Sequence, residues 1–275
     1  MSYELFISLR HLKAKRSQKF ISLNTWISVG GVALGVMALI VVIAVMSGFG
    51  KDLRDKILGT NSHVVVTNIT RTGMEDYEAV IEKVKKAKGV NAAAPFILNQ
   101  VMLTYGGNAM GVVVRGLDLE LEVGVSDLEK NLVQGSLEML GGPAKSTGKP
   151  RRAGIILGKE LARRLGVQRD DVVSMVAPAS RVTPMGLIPK IKLFKVVGFF
   201  ESGMFEYDSN LAFISIYSAQ KFFAMKGKVS GIEIRVEDIE QADQVAAEIQ
   251  QSLGFPYYAR DWMQMNKNLN PPFYN

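Results

Sequence analysis

A membrane-spanning helix followed by an extracytoplasmic α+β domain is the architecture this sequence predicts, on three observations. Phe20 to Gly50 carries no charged residue. Two separated stretches, one after that run and one near the C-terminus, each alternate strand-like and helix-like patterns. The chain between them is rich in strand-like runs, so one split subdomain with an inserted, mainly β subdomain is expected.

From Ile27 to Met46 the run is almost wholly apolar, and as a helix it is about 30 Å long, the thickness of a bilayer's hydrocarbon core. A buried soluble helix usually shows a polar stripe; this run shows none. A cleaved signal has an h-region of roughly 7–15 residues and a small-x-small site. The apolar run here is about twice that length and Val45-Met46-Ser47-Gly48-Phe49 offers no such site, so the segment is expected to remain as an anchor. Ser28, Gly31, Gly35 and Ala38 fall at helical spacing, a small-residue stripe that lets another helix approach closely in lipid. Arg10, Lys13, Lys15, Arg16 and Lys19 precede the span against the single acid Glu4, which places the N-terminus in the cytoplasm and the rest outside. Tyr3 to Leu12 reads as a short amphipathic helix on the inner leaflet, in preference to a frayed cytoplasmic tail. The chain's net charge of +7 is concentrated beside the span without aromatic interleaving, so lipid headgroups, and not nucleic acid, are the expected partner.

Beyond the span, Lys51 to Leu58 keeps helical spacing and stops at Gly59. His63 to Ile69 is β-branched and reads as a strand. Met74 to Lys88 is an amphipathic helix with Tyr77, Val80, Ile81 and Val84 on one side. Asn91 to Tyr105 is extended, and Gly106-Gly107-Asn108 turns it into Met110–Arg115. At the far end, Gly231 to Val236 alternates as a half-buried strand, Ile239 to Leu253 is a helix, and Tyr257-Tyr258-Ala259 is extended again. The insert carries strands at Ile155–Gly158, Asp170–Val176, Lys190–Phe200 and Leu211–Ser215, with one helix at Lys159–Leu165. It reads as a small, partly open β-structure. Gly141 to Pro150 is a surface loop by composition.

The motifs exclude more than they promise. There is no cysteine, hence no disulfide or thiol chemistry, and His11 and His63 alone make a histidine metal site a poor reading. Gly142 and Gly148 are spaced wrongly for a phosphate-binding loop and Pro150 stands where Ser or Thr is needed, so the chain itself is not expected to hydrolyse ATP. Glu201, Glu206 and Asp208 lack a sequence-adjacent His or Lys and read as ordinary acids at a turn between strands. The unusual piece is Val176 to Lys192, in which Pro178, Pro184 and Pro189 stiffen a loop with Met185, Leu187 and Ile188 near its tip. Proline at these spacings is expected to keep the loop out of a sheet. Such a loop either docks on another protein or folds back on its own core, and the residues alone leave both open.

Taken together, ISVGGVALGVMALIVVIAVMSGFG, PFILNQVMLTYGGNAMGVVVRGLD, ILGKELARRLGV, TPMGLIPKIKLFKVVGFFESGMFEYDSNLAFIS and ARDWMQMNKNL resemble the LolC/LolE family, from about Tyr3 to Leu269. These are permease subunits of the lipoprotein-releasing ABC transporter of Gram-negative bacteria. The resemblance implies a MacB-like periplasmic core, a second permease subunit in a homo- or heterodimer, a cytoplasmic LolD-type ATPase that supplies ATP and magnesium chemistry, acylated lipoproteins as cargo and a LolA-type periplasmic chaperone as acceptor. No catalytic residue, metal or cofactor is expected in this chain. The family's chaperone-binding arm maps onto Pro178, Ala179, Ser180, Arg181, Val182, Thr183, Pro184, Met185, Gly186, Leu187, Ile188 and Pro189, followed by Lys190 and Lys192. By position, Met46 and Phe49 are expected to line the cavity that receives lipid chains.

The expected organisation is therefore 1–19 a basic cytoplasmic segment, 20–50 the span, 51–116 with 231–262 the split α+β subdomain, 117–230 the insert bearing the arm, and 263–275 a truncated tail. The last assignment follows from the family, which continues into three more spans where this chain has Asn270-Pro-Pro-Phe-Tyr-Asn275. A single-span periplasmic sensor or scaffold, or a related MacB/FtsX-type mechanical-coupling permease, is the alternative. TPMG in the arm and the GMFEYD run favour the lipoprotein branch.

Overall fold

The uncharged run is the centre of one continuous helix, α1 (Lys19–Thr60), of 42 residues and hence about 63 Å. The computed structural model describes residues 3, 4, 7, 19–60, 62–70, 73–141, 152–183 and 186–265, with backbone alone at 19–22, 51–60, 123, 178–183 and 186–188. Within α1, Leu23–Gly50 is long and apolar enough to cross a membrane, and no part of that window is buried within the chain. A helix without an inner face in its own protein has lipid or other helices as its solvent. The segment read as Lys51–Leu58 is the continuation of α1. The expected N-terminal amphipathic helix lies almost wholly outside the described residues.

The chain divides into Met1–Asp55 and Lys56–Asn275. In the second unit the elements are β1 (Val64–Asn68), α2 (Tyr77–Val84), β2 (Val90–Tyr105), β3 (Asn108–Leu117), β4 (Leu132–Gln134), β5 (Gly154–Gly158), α3 (Lys159–Leu165), β6 (Val172–Thr183), β7 (Gly186–Phe200), α4 (Phe205–Asn210), β8 (Leu211–Ser215), α5 (Ile216–Phe223), β9 (Gly231–Val236), α6 (Ala242–Leu253), β10 (Tyr257–Asp261) and α7 (Trp262–Met265). The class is α+β, as expected. Stops are chemical: α3 ends on Gly166 at φ 75°, and α5 begins where Ser215 Oγ accepts from Ser218 N.

Among the described residues the ten strands join one sheet, in the order β10-β1-β9-β2-β3-β8-β5-β7-β4, with β6 pairing both β2 and β7. That last pairing closes β2-β3-β8-β5-β7-β6 into a six-stranded ring. The expectation of a partly open insert is corrected here: β2 and β3, assigned to the flanking subdomain, complete the barrel, and closure removes the exposed edges an open sheet would leave. Alternate residues fill the ring, among them Leu103, Val114, Leu157, Met175, Phe194 and Ile214. A second cluster lies on the outer face, where Leu128, Leu137 and Leu140 cover Leu117, Ile156, Phe200 and Phe213. Both faces of β5 are therefore covered, and all five of its residues are buried. Outside the ring, β9-β1-β10 extends the sheet from β2, and α2 and α6 set Val80, Ile81, Val84, Val245 and Ile249 in the same main core.

Two helices of the insert went unpredicted. α4 stands where a turn carrying Glu206 and Asp208 was expected, and α5 follows β8 directly. Both are short, six and eight residues, too brief for a 3.6-residue period to stand out from the flanking strands.

Candidate docking arm

Strands β6 and β7 run past the ring as a hairpin. β6 meets β2 only through Met102↔Val176, Leu103↔Met175 and Thr104↔Ser174, while its pairing with β7 continues outward to Arg181↔Ile188, Val182↔Leu187 and Thr183↔Gly186. This corrects the expectation that proline keeps the segment out of a sheet. The ladder shifts between Ala177 and Arg181, which places Pro178 and Pro189 in an irregularity where missing N–H groups are tolerated. Pro184 and Met185, between the two strands, lie outside the described residues. About six residues per strand extend beyond the last ring pairing, roughly 20 Å of self-paired hairpin.

Strand alternation gives the base of this arm two different sides. On one, Met102, Val176 and Ile191 stand in cross-strand register as an apolar row, with Ile191 61% and Met102 43% exposed. Leu193 continues it. On the other, Lys190 Nζ donates to Lys221 O at 3.1 Å and lies 5.5 Å from the Phe222 ring centroid, while Lys192 Nζ lies 4.8 Å from that of Phe194. Burial, with Lys221 and Lys190 close by, pushes the Lys192 ammonium below its ordinary value. The sequence singled out Lys190 and Lys192 but not Lys221, which α5 brings beside them. Met102 was missed also; its signal was an apolar residue on the polar phase of an alternating strand.

The other predicted residues belong to other elements. Met46 and Phe49 are exposed on α1, as are Ser28, Gly31, Gly35 and Ala38; a Cβ built on Gly31 or Gly35 meets nothing within 4 Å. Glu201 pairs with Lys159 at 2.8 Å, and Asp208 accepts from Ser202 N and Oγ, each at 2.8 Å. Those carboxylates border an open cleft of about 580 Å³, along with Arg163, Phe199 and Phe205. His63 is buried and its Nδ1 accepts from Val236 N at 3.3 Å. Among the described residues no group of three or more His, Asp or Glu side chains converges as a metal site.

The family model for the MacB-like periplasmic core domain matches residues 25–252. The chain belongs to this family. Its curated relatives include the lipoprotein-releasing system transmembrane protein LolC of Neisseria meningitidis, 34% identical over 97% of this chain and 62% of that protein. LolC of Xylella fastidiosa is 36% identical over 96% of this chain and 61% of its own length. The resemblance to LolC/LolE subunits stated from the motifs is thus borne out. The chain spans about three-fifths of the length of these curated relatives. Among solved structures, the extracellular domain of the ABC-type transporter YknZ from Gram-positive bacteria aligns with a TM-score of 0.47 at 12% identity, covering 73% of this chain and 99% of that one. The periplasmic region of MacB from Actinobacillus actinomycetemcomitans aligns at 0.44 and 10% identity, covering 77% and 93%.

Proposed function

We propose that this MacB-like chain is the anchored and periplasmic part of a permease subunit that releases lipoproteins from the bacterial inner membrane, with its N-terminus cytoplasmic and its arm docking a periplasmic chaperone. The observation that carries the reading is the 34–36% identity to LolC proteins over nearly the whole chain. ATP hydrolysis belongs to a separate LolD-type subunit in this reading, and a second permease subunit completes the pathway for the acylated cargo. Met46 and Phe49 face that cargo, and the Ser28–Gly31–Gly35–Ala38 stripe faces a neighbouring helix. The self-paired arm supports the docking role: a hairpin whose backbone bonds are already made meets a partner at little ordering cost.

The test is affinity for a LolA-type chaperone, measured with the full chain in nanodiscs. Met185→Asp adds a charge to the arm and is expected to weaken binding at least tenfold, with thermal stability unchanged. Equal affinity in the variant and the unaltered chain refutes the docking role.

A further inference from the structure

Strands β10, β1 and β9 reach the six-stranded ring by strand pairing only through β2. One edge of β2 is shared: β9 takes Val90–Phe96 and β6 takes Met102–Thr104. Between them the edge carries no strand, and Leu98 N is met by a side chain, Ser230 Oγ at 3.0 Å. A sheet interrupted in this way bends more easily at the gap than a continuous ladder does.

A second connection joins β9 to the ring beside β2. The segment 118–131 leaves β3 and passes over the sheet before reaching β4, which pairs with β7. On the way it is fastened to β9 by charge. Arg115 on β3 reaches across β2 to ion-pair with Glu233 on β9, and contacts Glu122 of the crossing segment at 3.4 Å; all three are buried. Ser126 Oγ donates to Glu122 Oε1 at 2.5 Å. Farther along, Asp127 accepts from Arg235 on β9 at 3.2 Å and from Lys130 at 2.9 Å, at the half-exposed margin of the seam, with His63 beside Arg235. Leu132 of β4 follows Asp127 by five residues, at most roughly 17 Å of chain. The seam therefore ties β9 to the ring strand β3 and to the segment that leads into β4, which pairs with β7.

This fastening is incompletely satisfied. Arg115 Nε and Glu122 Oε2 are buried without a hydrogen-bond partner among the protein's described residues. A buried network with an orphaned donor and an orphaned acceptor holds its geometry less firmly than a complete one. We propose that the Asp127–Arg235 pair, backed by the Arg115 seam, is a latch that holds β10-β1-β9 at one angle to the ring, and that opening it lets the sheet flex at the gap in β2. The proposal goes beyond the docking role and holds whatever the arm binds.

The chain has no cysteine, so Tyr258→Cys on β10 and Tyr217→Cys on α5, both exposed, accept spin labels specifically. Pulsed distance measurements on the full chain in nanodiscs are expected to give one narrow distance, kept in Arg235→Lys. In Arg235→Ala a second distance is expected in at least a fifth of the molecules. Because the outer pair is partly exposed, about 1 M salt is expected to produce the second distance in unaltered protein as well. A single narrow distance in Arg235→Ala, or equal broadening in Arg235→Lys, overturns the latch. Should Arg235→Ala fail to fold, the salt titration decides, and one unchanged distance through about 1 M salt overturns it.

Discussion

At the scale of single residues, positions near the candidate sites are set by close approach and by burial. Gly158 ends β5 where a Cβ would lie 2.2 Å from Asp208 O and 2.7 Å from its carbonyl carbon. Backbone cannot yield as a side-chain tip does, so Gly158→Ala is expected to cost about 1–3 kcal/mol, seen as a lowered denaturant midpoint. Near neutral pH, His63 is a residue through which stability answers to pH. Burial, then the charge of Arg235, lowers its pKa from 6.5. The unfolded chain accordingly takes up this proton first. The stabilisation is complete above about pH 6.5 and is lost as pH falls toward the depressed folded value. Melting temperature is expected to fall between pH 7.5 and 5.5, and His63→Asn, which offers Oδ1 to Val236 N, should flatten that dependence. An unchanged slope in the variant would assign it to other groups.

At the scale of elements, the arm is separable from the domain that bears it. Beyond Ala177↔Lys190 its strands pair only with each other. Replacing residues 178–189 by Asn-Gly closes the same two strands with a tight turn. The melting temperature is expected to stay within about 2 °C while chaperone binding disappears. A large loss of stability would instead mean that the arm packs on its own domain. The opposite edge of the sheet is protected locally: Gln250 on α6 donates Nε2 to Tyr257 O at 3.0 Å and accepts at Oε1 from Ala259 N at 2.9 Å, occupying backbone groups of the edge strand β10. Much of this scale was legible beforehand. The 3.6-residue spacing of Val80, Ile81 and Val84 and of Val245, Ala246 and Ile249 foretold α2 and α6, and the Gly106-Gly107-Asn108 turn foretold the β2–β3 hairpin. The arm's prolines were read incorrectly as excluding pairing, because tolerance for Pro178 and Pro189 depends on a register shift that only the opposing strand reveals.

For the molecule as a whole, the ring and its extension share one sheet and one main core, so the part beyond α1 should lose structure together. Of the two tryptophans, Trp262 lies beside the extension, its backbone N bonded to His63 O at 2.9 Å. In a Trp26→Phe background, Trp262 fluorescence and far-ultraviolet dichroism are expected to give coincident denaturation curves. Leu103→Ala, inside the ring, should shift both by about 2–5 kcal/mol. Separate transitions would support the division at 116/117 and 230/231 that the sequence suggested.

By itself the sequence determined the membrane helix, the membership of most strands, the α+β class and the stretch that becomes the arm. Each depends on local quantities: an uncharged length matched to a bilayer, a period of two or of 3.6, or proline and glycine at turns. Only the tertiary structure decided that β6 closes a ring with β2, that Lys221 joins Lys190 and Lys192, and that Arg115, Glu122 and Glu233 meet. Those groups lie up to 118 residues apart in the chain. Strand pairing brings them together through backbone groups that are alike at every residue, so side-chain periodicity shows that a strand exists and leaves its neighbour unnamed.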